Sequence, residues 1–84
     1  MDEKTEALEL YNKLKKYCIN TFGEENSKMA SINNKIAIIY IKQGKGNEAL
    51  ELFNKSLKIY HNIFDEKHQK IALIYRNIGS VYVR

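Results

Sequence analysis

The sequence predicts an all-α fold of antiparallel helix-turn-helix repeats, four helices in all, and three observations lead there. The phrase EALELYNK at positions 6–13 returns as EALELFNK at 48–55, forty-two residues later. Shifting the whole chain by that offset pairs 1–42 with 43–84, and sixteen of the 42 pairs are identical. Matches over the full length mark two periods of an array, because a unit that cannot bury its apolar face alone must stack on a copy of itself. Finally, apolar residues recur every three or four positions, and no Pro and only four Gly leave few turn formers for an all-β domain.

The first helix is expected over 2–22, on Ala7, Leu10, Tyr11, Leu14, Tyr17, Cys18 and Phe22, with Asp2 or Thr5 as N-cap and Gly23 as its stop. The second is expected over 29–42, where Met29, Ile32, Ile36 and Tyr40 keep helical spacing. Gly44 and Gly46 then let the backbone reverse, and Asn47 can accept the orphan amides of the next helix. That third helix, over 47–64, carries Ala49, Phe53, Leu57, Tyr60 and Phe64, with Leu50, Leu52, Ile59 and Ile63 widening the stripe enough to touch two neighbours. The fourth is expected over 70–83. The polar segments GEEN and DEKHQ are equivalent links, with Asp65 in place of Gly23.

IAIIYI and SVYVR are rich in β-branched and aromatic residues, so an α+β reading with two strands is the rival. Against it stand the helical spacing, the absence of a turn former through 28–42, and a length unusual for a strand. A propensity penalty of roughly half a kcal/mol per β-branched residue is outweighed by about 2 kcal/mol for burying an isoleucine.

At 84 residues the chain has room for one small domain, 1–84. Its one cysteine, Cys18, excludes an internal disulfide and points to a reducing compartment, with the thiol acting as a small core residue. Asp2, Glu3, Lys4 and Glu6 interrupt any leader-like apolar run, and no segment reaches the ~18 apolar residues of a membrane span, so the expected location is cytoplasmic. The formal charge is +4, yet fourteen basic residues are interspersed with ten acids, which describes a solvated helix surface better than a nucleic-acid footprint.

Ala30, Ile36, Ala37, Tyr40, Gly44, Glu48, Ala49, Leu50, Phe53 and the small Ser56 together resemble the tetratricopeptide repeat. The forty-two-residue spacing, with a long second helix and an acidic loop before the next unit, is similar to the kinesin light chain variety. By this resemblance one complete unit spans 29–64 and is flanked by half units. Ala37 and Gly79, with Ala7 and Ala49 opposite, are expected where helices approach closely, letting Tyr11, Phe53, Tyr40 and Tyr82 interlock. Leu14, Gly46 and Asn33 depart from the family pattern, which normally has Ala, an aromatic and a residue such as Tyr75 there.

The resemblance implies a scaffold function, as a non-catalytic protein–protein interaction module or as a fragment of a longer repeat array. In the family the first helices of successive units line a concave groove for peptides, and the matching positions here are Asn34, Lys35, Ile38, Ile41 and Lys42, then Arg76, Asn77, Ser80, Val83 and Arg84. Asn amides can hold a peptide backbone while Lys and Arg favour carboxylates, which implies an acidic protein or peptide partner. A second expectation is a homo-oligomer through the end helices, with Ile74, Tyr75, Ile78 and Tyr82 at one end and Leu8, Tyr11 and Leu14 at the other. An RNA-binding helical repeat is the third reading, weakened because the aromatics needed for base stacking fall at core positions. Catalytic chemistry has no carrier: His61 and His68 lack clustered ligands, Glu24, Glu25, Asp65 and Glu66 are loop residues, and GKGN lacks the spacing of a phosphate loop. No enzyme activity, metal or cofactor is expected.

Overall fold

A computed structural model describes residues 3–23, 26–63 and 68–83, the side chain of Phe22 excepted. Four helices follow in order, α1 (Glu3–Phe22), α2 (Ser27–Lys42), α3 (Gly46–Ile63) and α4 (Gln69–Tyr82). The described residues contain no strand; IAIIYI is helical throughout and SVYVR is helical through Tyr82. Burial supplies the reason: Ile36 is 2% exposed and Ile74 is fully buried, which outweighs their weak helix propensity.

The helix starts differ from the expected caps. Asn26 caps α2, its Oδ1 accepting from the Lys28 and Met29 amides at 2.9 and 3.1 Å while its side-chain nitrogen donates to the Gly23 carbonyl at 2.7 Å. Its repeat counterpart His68 caps α4, with Nδ1 accepting from the Lys70 amide at 3.1 Å. Asn47, the expected cap of α3, lies inside that helix, whose first turn closes instead from the Ala49 amide to the Lys45 carbonyl at 3.1 Å. Thr5 likewise lies within α1, and Asp2 falls outside the described residues.

Two reversals depend on glycine. Gly23 at φ 87° follows α1 and Gly44 at φ 79° follows α2, both in the left-handed region that side chains resist. At the second turn the Lys45 amide reaches back to the Tyr40 carbonyl at 2.8 Å, so three residues fold α3 against α2. Gly46 is no helix stop; it opens α3, where an added Cβ would stand 3.2 Å from the Val81 side chain.

The tightest contact is the seam between α2 and α3. Ala30, Ala37, Ala49, Phe53 and Ser56 all have zero exposure, so small residues bring the two backbones together around one phenyl ring. At its centre the Ser56 hydroxyl donates to the Ala30 carbonyl at 2.7 Å. Cys18, Met29, Ile32, Ile59, Tyr60, Ile71 and Ile74 extend the core toward α1 and α4.

The expected close packing at the end of the stack is corrected in three places. Gly79 meets no atom within 4 Å of an added Cβ, because no described helix packs where α3 meets the equivalent Ala37. Tyr82 is 74% exposed and does not interlock. Ile74 belongs to the core and is not part of an open end face, while Ile78, Leu8 and Tyr11 are half-buried against that core.

Two measurements test this packing. Ser56→Leu, which copies the residue at the equivalent position 14, should lower unfolding free energy by about 2–4 kcal/mol by overpacking and loss of the hydroxyl bond. Gly79→Ala should instead raise it by roughly 0.5–1 kcal/mol, since the site has room and gains helix propensity. Chemical denaturation of both variants checks the two signs together.

Burial also raises the Tyr60 phenol above its ordinary value of 10.0. Below that value the phenol is neutral folded and unfolded; above it the unfolded chain ionises first, so this contribution to stability declines as pH rises past 10. In an ultraviolet titration the protein should show a tyrosine component that ionises above the ordinary range, and Tyr60→Phe should remove that late component.

Candidate functional site

Asn34, Ile38 and Ile41 follow one another at four and three residues and share a face of α2; Asn77 and Ser80 share a face of α4. The Asn77 side-chain nitrogen donates to Asn34 Oδ1 at 3.3 Å, joining these faces across the two helices. Close backbone approach between α2 and α4, with none between α1 and α3, makes this the side on which the stack closes. The chain measures 39 × 36 × 17 Å along its principal axes.

The residues expected to line the groove divide by role. Ile38 and Ile41 are half-buried and rest on the core, offering only part of their surface to a ligand. Lys35, Lys42 and Arg76 are exposed and carry positive charge on the same two helices as the asparagine pair. The Ser80 hydroxyl is turned back to the Asn77 carbonyl at 2.6 Å, so its proton is committed within α4. Val83 is 83% exposed, and Arg84 lies outside the described residues. Asn34 Nδ2 and Asn77 Oδ1 together present one donor group and one acceptor, the pair that an extended peptide backbone requires.

A cleft elsewhere on the molecule escaped sequence reasoning. On the side where α1 and α3 splay, a cleft of about 280 Å³ is floored by Ile19, Met29 and Ile59 and edged by Lys15, Lys55, Lys58 and Asn33. Asn33 is 3% exposed, and its Oδ1 meets no hydrogen-bond partner. Tyr75 holds the equivalent position in α4, so the cleft opens where the first unit has a shorter side chain than the second. The signal was present as the Asn33/Tyr75 mismatch, but the three lysines come from two helices that only the fold brings together.

Both histidines have roles in the fold. His61 Nε2 lies 3.4 Å from the Tyr75 hydroxyl with the rings edge-on at 6.4 Å, whereas His68 is used as a cap. Among the described residues no three His, Cys, Asp or Glu side chains come together as metal ligands, and no helix is long and apolar enough to cross a membrane. Glu24, Glu25, Asp65 and Glu66 lie outside the described residues.

Comparison with known proteins returns one family. Residues 28–84 match the family model described as tetratricopeptide repeat, and they span α2, α3 and α4. No curated protein and no solved structure matches the chain. Members of this family generally mediate protein–protein interactions. With a glycine-turned helical hairpin, a small-residue seam and a match covering more than half its length, the chain belongs to the tetratricopeptide repeat family.

Proposed function

We propose that the chain is a non-catalytic interaction module that holds an acidic peptide segment along the α2/α4 face. The observation that carries this reading is the Asn77–Asn34 bond, which presents an amide donor and a carbonyl acceptor side by side on the closing side of the stack. Exposed Lys35, Lys42 and Arg76 add attraction for carboxylates around that pair. The forty-two-residue period favours the kinesin light chain variety of the repeat, with one full unit at 29–64 between half units. A free, buried Cys18 thiol fits a reducing compartment such as the cytoplasm.

The lysine-edged cleft favours a second reading, in which an acidic side chain docks between α1 and α3. Charge reversal separates the two. Titration with a fluorescent acidic peptide should show Lys42→Glu with Arg76→Glu weakening binding by about tenfold or more, with circular dichroism unchanged. Lys55→Glu with Lys58→Glu should leave the affinity close to wild type. The opposite pattern would move the peptide to the cleft, and equal affinity in all three proteins would remove both sites.

A further inference from the structure

We infer that this chain binds a second copy of itself head to tail, α1 of one copy lying on the open face of α4 of the next. The repeat and the packing of α3 on α2 within one chain point to it. Position by position, α1 is the counterpart of α3 and α4 the counterpart of α2. Within one chain α3 lies on α2, hiding Ala30 and Ala37 on one side and Ser56 and Ile59 on the other.

The same positions are open on the counterpart helices. Ala72 and Gly79 replace Ala30 and Ala37 and are exposed on α4. Leu14 and Tyr17 replace Ser56 and Ile59, and they are 45% and 64% exposed on α1. Each open face therefore has the complement of the other, and a second copy provides it. The eight-residue phrase that makes α3 fit α2 is present in α1 with one change, Tyr11 for Phe53.

The copied contact is not identical in detail. Leu14 is larger than Ser56 and lacks its hydroxyl, and Tyr75, itself 54% exposed, stands where α2 has Asn33, so the helices stand further apart at that end. Gly79 in place of Ala37 gives room at the other. Because the two faces differ, the contact is heterologous, and an open series adds copies one at a time.

Gly79 provides a clean test, since an added side chain there meets nothing within the monomer but would stand inside the contact. Sedimentation of the 84-residue chain should show mass rising with concentration on the order of 100 µM, the range of an interface below standard size. Gly79→Glu blocks the α4 face and Leu14→Glu the α1 face, so each alone should stay monomeric with helix content intact. Mixed in equal amounts they retain one good face of each kind and should form a one-to-one pair that grows no further. A monomeric wild type would overturn the proposal. So would a mixture that stays monomeric, or either variant still associating by itself.

Discussion

Everything in this structure depends on how closely α2 can approach α3. Ala30, Ala37, Ala49 and Ser56 remove bulk from the seam, and Phe53 fills what remains, all with zero exposure. Leaving a buried hydroxyl unpaired would cost about 1–3 kcal/mol, and the 2.7 Å bond from Ser56 to the Ala30 carbonyl avoids that cost. The short reversal at Gly44 sets the two helices side by side, and their small residues determine the distance between them.

The neighbouring helices join this pair with larger residues. α1 docks through Cys18, Ile19 and the half-buried Leu8 and Tyr11, and α4 docks through Ile71 and Ile74. Neither makes as intimate a contact with its neighbour as α2 makes with α3. The lysine-edged cleft is a consequence: it lies where α1 and α3 splay over α2, at the position where Asn33 stands in place of an aromatic. Two cation–aromatic contacts, Lys45 over Tyr40 at 5.6 Å and Lys70 over Tyr60 at 5.8 Å, lie over core-packed rings at separate points of the fold.

On the proposed reading, this division of labour separates folding from recognition. Side chains along the seam are consumed by packing, while those on the α2/α4 face are held in place by it and remain available, as Asn34 and Asn77 are. A rigid helical support lowers the ordering cost that a ligand would otherwise meet. On the proposed reading, substitutions on that face alter what is bound with little effect on the fold, the property that lets one repeat architecture serve unlike partners.

The helices were legible in the sequence because their cause is local: periodic apolar residues, a repeated phrase and glycines at the turns. The small residues of the seam were legible for the same reason, since Ala37, Ala49 and Ser56 announce close approach wherever they fall on an apolar stripe. Gly79 shows where this inference stops, because a small residue marks a place for a neighbour but cannot show whether that neighbour is there. Ile74 shows the converse: from the sequence it stood on an open end face, whereas the fold turns it inward against α3. The caps at Asn26 and His68, the Asn34–Asn77 bond and the cleft between α1 and α3 were decided only by tertiary structure. Each depends on loop geometry or on the distance between helices far apart in the chain, which a pattern of residue types along one helix does not contain.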